Sequence, residues 1–186
     1  MKKIFKALRP ILVSFAILTV ICGLIYPGIV TGIAQVFFPS QANGSTITVT
    51  LEDGTIKEYG SALIAQDFTD PKYLIGRPSG SSNLNPVSQV EKDAVQQRVD
   101  WWHSFDPGNT AAIPADLVTQ SGSGVDPNIS PEAAEYQIAR ISVIRGISQE
   151  QVRAVISKYT SGKFLGFWGE PAVNVLKVNL ALDGLI

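Results

Sequence analysis

Ile11 to Phe38 reads ILVSFAILTVICGLIYPGIVTGIAQVFF, 28 residues without a charge, 16 of them Ile, Leu, Val or Phe. As an α-helix the stretch would be about 42 Å long at 1.5 Å per residue, more than the hydrocarbon core of a bilayer at about 30 Å. Each of its aliphatic and Phe side chains favours insertion by about 0.3–0.6 kcal/mol near the helix centre, so together they contribute at most about 5–10 kcal/mol. Pro27 lies inside it and predicts a kink or an end to the regular helix, because proline has no N–H and its ring crowds the preceding turn. A cleaved signal peptide shares the basic start and apolar core, and Ser40-Gln41-Ala42 resembles a small-x-small cleavage site. But an apolar region of 28 residues far exceeds the 7–15 of a signal sequence. A lipid-modified Cys22 is disfavoured by the bulky Ile21 before it. The stretch therefore reads as a retained membrane anchor.

Working outward, the flanks give a direction. No Asp, Glu, Lys or Arg occurs between Arg9 and Glu52. Ahead of that gap Lys2, Lys3, Lys6 and Arg9 stand with no acid; behind it 11 bases face 16 acids, a formal −5. A short basic flank stays in the cytoplasm. The expected organisation is thus a cytoplasmic basic N-terminus (1–10), a transmembrane helix (11–38), a linker (39–45) and an extracytoplasmic domain (46–186). Within the span Gly28-Ile29-Val30-Thr31-Gly32 is a GxxxG pattern, whose two glycines one turn apart let another helix approach closely.

Charged residues are 17% of the 186, well below an average soluble chain, and 11 prolines with 16 glycines exclude a coiled coil. No concentrated basic face can be built, which excludes a nucleic-acid binder. One cysteine, Cys22, and one histidine, His103, exclude an internal disulfide, a zinc site and most other metal constellations.

Beyond the linker, Thr46 to Leu51 is a β-branched strand, Asp53-Gly54 a tight turn, and Thr55 to Tyr59 the returning strand. A helix is predicted from Gln89 to Ser104, with Ser88 and Glu91 as a capping box and Val90, Val95, Val99 and Trp102 on one stripe. Trp101, Trp102, His103 and Phe105 close it as an aromatic cluster that reads as edge-of-core packing. After a Gly/Ser/Pro-rich loop from Asp106 to Ser130, Ser130 caps a helix with Pro131 at its first position and Gly146 at its end. Ser148 and Gln151 cap another that runs to Tyr159. The tail Val173 to Leu182 alternates Leu176, Val178, Leu180 and Leu182 with Lys177, Asn179 and Ala181, which predicts a strand. The fold class is a single N-terminal transmembrane helix followed by an α+β domain with a small sheet.

The segment Val118 to Pro131 is the candidate site. A glycine-rich backbone ahead of a helix N-terminus can present N–H groups to a phosphate or carboxylate. It lacks the Gly-Lys-Ser/Thr ending of a P-loop. No Gly-x-Ser-x-Gly elbow surrounds Ser121 or Ser123, which disfavours a triad with His103 and Asp116 or Asp126. The bland alternative is a structured turn.

Several stretches carry a resemblance. They are Gly60-Ser61-x-Leu63-Ile64-x-Gln66-x-Phe68; Tyr73 with Gly76-Arg77-Pro78-Ser79; Ser82-Asn83-Leu84; and Pro114-x-Asp116-Leu117-Val118-Thr119-x-Ser121-Gly122-Ser123-Gly124-x-Asp126-Pro127-x-Ile129-Ser130-Pro131. They continue with Ala134, Gln137, Arg140, Arg145-Gly146 and Val173-Asn174-Val175-Leu176-x-x-Asn179-x-Ala181-Leu182-Asp183. In this order they resemble the C-subunit family of the Kdp potassium-transporting ATPases over nearly the whole chain. One departure is visible: that family usually has a longer Gly/Ser-rich stretch where Arg77 to Leu84 is compressed here.

The resemblance implies a non-catalytic subunit of an inner-membrane complex that takes up potassium at the expense of ATP. Its partners would be a channel-like potassium-binding subunit, a P-type ATPase subunit and a small single-span subunit, besides membrane lipid. It implies roles in assembly and as a catalytic chaperone for ATP binding by the ATPase subunit. Ser121, Gly122, Ser123, Gly124 and Gln137 would be the nucleotide contacts, Gly28 and Gly32 the transmembrane packing residues. No catalytic residue, metal or cofactor of its own is implied; ATP would enter through the ATPase subunit and potassium is the transported ion. An outward domain of −5 strains the ATP role and suits a potassium entrance instead. The residues alone also leave room for a stand-alone membrane-anchored binding or hydrolytic domain.

Overall fold

The computed structural model describes the backbone of residues 2–186 and the side chains of residue 6 and residues 8–186. Met1 and the side chains of Lys2 and Lys3 lie outside the described residues, so of the basic flank only Lys6 and Arg9 are described in full. The chain divides into two compact units, Met1–Thr46 and Ile47–Ile186.

The first unit is helical. Helix α1 (Lys2–Val20) passes through one π turn (Ile21–Ile25) into α2 (Tyr26–Phe37). Leu8–Phe37 is a 30-residue apolar stretch, long enough to cross a membrane, with no residue buried. Pro27 therefore does not end the helix. The π turn just before it carries the Tyr26 N–H to the Ile21 carbonyl, an i→i−5 bond. Widening one turn removes the crowding that the proline ring would otherwise cause. A further turn of helix, α3 (Pro39–Ala42), occupies the region expected to be a plain linker.

The second unit is α+β. Strands β1 (Thr46–Thr50) and β2 (Ile56–Ser61) form a two-stranded sheet around the expected turn. Gly54 there has φ +80°, and Asp53 Oδ1 accepts from the Thr55 N–H at 2.9 Å. Helix α4 (Gln89–Phe105) starts on Ser88, whose hydroxyl accepts from the Glu91 N–H. Its inward stripe is Val95, Val99 and the buried Trp102, whereas Val90 is exposed. Trp101 stays on the surface, stacked on Phe105 at 4.4 Å.

Strands β3 (Asn128–Ile129), β4 (Thr160–Ser161) and β5 (Ala172–Asn174) make an antiparallel sheet with β5 in the centre, pairing Ile129 and Thr160 with Val173. Helices α5 (Pro131–Glu135), α6 (Ile138–Arg145), α7 (Gln149–Lys158) and α8 (Val175–Leu182) enclose a core of Leu74, Trp102, Leu117, Ile138, Ile141, Val152 and Val178. Ser148 and Gln151 form the reciprocal cap of α7, and Gly146 ends α6 at φ +65°.

Two expectations are corrected. The tail is not one strand: three residues of β5 turn at Asn174 into α8. The Asn174 side chain accepts from the Lys177 N–H at 3.1 Å, a helix cap. Helix α8 buries Val175, Leu176, Val178, Asn179 and Leu180. A helix covered on nearly every side shows no 3.6-residue stripe, so the period-two pattern was incidental. The single helix expected from Pro131 to Gly146 is broken at Tyr136–Gln137, where the Gln137 side chain is drawn into contacts elsewhere in the core.

Candidate functional site

The segment from Val118 to Pro131 is fixed from two sides by Arg77. Its guanidinium donates to Asp116 Oδ1 (3.3 Å), to the carbonyls of Thr119 (3.3 Å) and Gln120 (3.2 Å), and to Thr119 Oγ1. Asp116 Oδ2 in turn accepts from the Ser130 N–H at 2.7 Å. One arginine–aspartate pair thus ties the start of the loop to the N-terminus of α5, where the Ser130 hydroxyl accepts from the Ala133 N–H.

Within the loop the two serines serve the backbone. Ser121 Oγ accepts from the Gly124 N–H at 2.9 Å, Ser123 Oγ accepts from the Val125 N–H at 3.2 Å, and the two hydroxyls lie 3.3 Å apart. Gly124, at φ +73°, is buried against Gly80, and a Cβ there would stand 2.6 Å from the Gly80 carbonyl carbon. Only glycine fits. Gly80 N–H donates to the Gly124 carbonyl at 3.0 Å, and Gln120 Nε2 to the Ser79 carbonyl at 2.7 Å. Gly122, by contrast, faces open space.

A groove of about 410 Å³ lies beside this loop, lined among others by Ser81, Asn83, Glu91, Gln120, Ser121 and Gly122. Its lining among the described residues holds no lysine or arginine. It does hold Glu91, whose buried Oε2 has no hydrogen-bond partner and whose Oε1 is 3.8 Å from Arg98. Arg98 offsets the Glu91 charge, but the groove's own lining offers a polyphosphate no cation, and the N–H groups of Gly124 and Val125 are already spent. The groove's chemistry suits a neutral hydrogen-bonding ligand better than a triphosphate.

Gln137 does not join that groove. It is fully buried, and its amide is used up: Oε1 accepts from the Ile75 N–H (2.8 Å) and from Arg140 (2.7 Å), while Nε2 donates to the carbonyls of Ile75 (3.0 Å) and Ala133 (3.1 Å). Asn179 repeats the device one residue earlier, binding the Leu74 N–H and C=O at 2.8 and 2.9 Å. The chain at Leu74 and Ile75 is thereby held by two side-chain amides that pair with its backbone as a neighbouring strand would. Arg140, above the Phe105 ring at 4.8 Å, donates to the carbonyls of Pro71 and Tyr73. Burial pushes its pKa down to about 10. Arg145 donates to the carbonyls of Lys72 and Leu182 at 2.7 Å each and to Asp183 at 2.8 Å. Asp183 also accepts from Tyr73, which raises the phenol's pKa. No role for Arg77, Arg140, Arg145 or Asn179 was assigned from the sequence. Their one signal in the sequence is their place in the stretches that carry the family resemblance.

Gly28 and Gly32 lie on α2, and a Cβ at either would meet nothing within 4 Å beyond its own stretch of helix, so their faces are open. Among the described residues no group of three or more His, Cys, Asp or Glu is placed to hold a metal ion.

Comparison with known proteins gives a consistent result. The family model described as "K+-transporting ATPase, c chain" matches residues 8–184. A potassium-transporting ATPase KdpC subunit of Listeria monocytogenes serovar 1/2a is 53% identical over 188 residues, covering 100% of this chain and 99% of the relative. KdpC subunits of Variovorax paradoxus and Polaromonas naphthalenivorans are 49% and 50% identical, each over 96% of this chain.

Proposed function

The chain belongs to the family of K+-transporting ATPase C chains, and from that membership we propose that it is a non-catalytic subunit required to assemble and stabilise an ATP-driven potassium uptake complex. The observation that carries the reading is the end-to-end likeness to KdpC subunits, anchor and domain alike. Its partners are a channel-like potassium-binding subunit, a P-type ATPase subunit that binds ATP, and a small single-span subunit. The basic flank keeps the N-terminus in the cytoplasm and the acidic domain outside. There a charge of −5 modestly enriches cations near the potassium entrance, over a screening length of about 8 Å at physiological salt.

Gly28 and Gly32 are the expected contact of the anchor with a partner helix, since two glycines one turn apart give backbone-to-backbone access. The Gly28→Ile, Gly32→Ile double variant should still insert in the membrane but co-purify with less of the other subunits. Unchanged co-purification would remove the anchor from assembly.

A second reading, the catalytic chaperone that raises the ATPase subunit's affinity for ATP, draws on the groove beside Ser121 and Gly122. Its hydroxyl and amide side chains are of a size and kind to meet a base or ribose at a subunit contact. Gln137 would act there through the Leu74–Ile75 segment rather than by touching nucleotide.

A further inference from the structure

Between β4 and β5 the chain runs Gly162-Lys163-Phe164-Leu165-Gly166-Phe167-Trp168-Gly169-Glu170. Phe164 and Trp168 pair as an antiparallel bridge, with N–H···O distances of 2.7 and 2.9 Å in the two directions. Leu165 and Gly166 turn the chain at φ +53° and +80°. The tip holds four large apolar side chains, Phe164, Leu165, Phe167 and Trp168, each 69–72% exposed. A leucine at positive φ is an unfavourable backbone state, here at a position whose side chain gains no burial within the domain. Contiguous exposed apolar surface of this kind marks a contact site.

We infer that this loop is a second membrane contact, its aromatic tip entering the headgroup–acyl boundary of the leaflet beside the domain. Three observations favour lipid. The tip is a projecting hairpin of Phe, Leu and Trp, the residue types that partition into membrane interfaces. Lys158, exposed at the end of α7 just before the loop, offers a cation to anionic headgroups, while Lys163 is paired with Glu170 at 3.4 Å. And only residues 38–46, four of them wound into α3, separate the apolar helix from the domain, a reach of less than about 34 Å. That tether holds the domain at high effective concentration near the bilayer, so a weak apolar contact suffices. The inference depends on the anchor alone and stands apart from the pump reading.

The test uses the full chain with Cys22→Ser and Leu165→Cys, labelled with nitrobenzoxadiazole and reconstituted in phosphatidylcholine–phosphatidylglycerol vesicles. Emission should shift to the blue, be lost when doxyl-phosphatidylcholine is included, and resist iodide. The same label at Phe167→Cys should behave alike, while a label at Glu150→Cys, exposed in the first turn of α7, should stay aqueous. Water-like emission open to iodide at both loop sites would overturn the proposal. So would equal doxyl quenching at Glu150, or a blue shift that appears only with the other pump subunits present and without doxyl quenching. That last result would assign the loop to a protein partner.

Discussion

Asn179 and Gln137 each satisfy both backbone groups of one residue in the segment at Leu74 and Ile75. A buried N–H or C=O left without a partner costs about 1–3 kcal/mol. Asn179→Leu keeps nearly the same volume but strips the partners from Leu74, so it should lower unfolding stability by about 1–3 kcal/mol for each orphaned group, read from urea melts of the full chain in detergent. A change within about 0.5 kcal/mol, ordinary for a surface substitution, would show that the segment is held by something else. These amides were not legible as clamps in advance. Their partners lie 62 and 105 residues away in the chain, and nothing local in either position announces a distant backbone. The caps were legible, since Ser130, Ser148 and Gly146 act within three or four residues of where they stand.

Elements follow the same division between near and far. The apolar anchor, the β1–β2 turn at Asp53-Gly54, and helices α4 and α7 could be read because composition and periodicity are local properties. Helix α8 could not: its burial on nearly all sides erases the stripe, and its one start signal, Asn174, also reads as a strand residue. The two-residue strands β3 and β4 are too short for any period. The Ser121–Gly124 loop was singled out for its glycines, and the structure separates their duties: Gly124 is required by the close approach of Gly80, whereas Gly122 is open. That difference supplies the test of nucleotide contact. Gly122→Val leaves the Gly80 contact alone, so if the reconstituted complex binds nucleotide through this groove, its apparent ATP affinity should fall in that variant. Equal affinity in variant and wild type would make the loop a structural turn.

For the whole molecule, the reading joins an apolar helix with a basic start to an acidic α+β unit, and the sign of charge on each side of the gap between Arg9 and Glu52 carries the direction. The entrance role needs the acidic unit outside the cell, where potassium arrives; direct action on ATP needs it inside. Family membership supplies the complex, and sidedness decides what this chain does within it. The most direct measurement is the accessibility of a single cysteine at Glu150→Cys, in a Cys22→Ser background, to a membrane-impermeant maleimide in intact cells freed of their wall. The account predicts full labelling before lysis. Labelling that appears only after the membrane is broken would place the domain in the cytoplasm and contradict it.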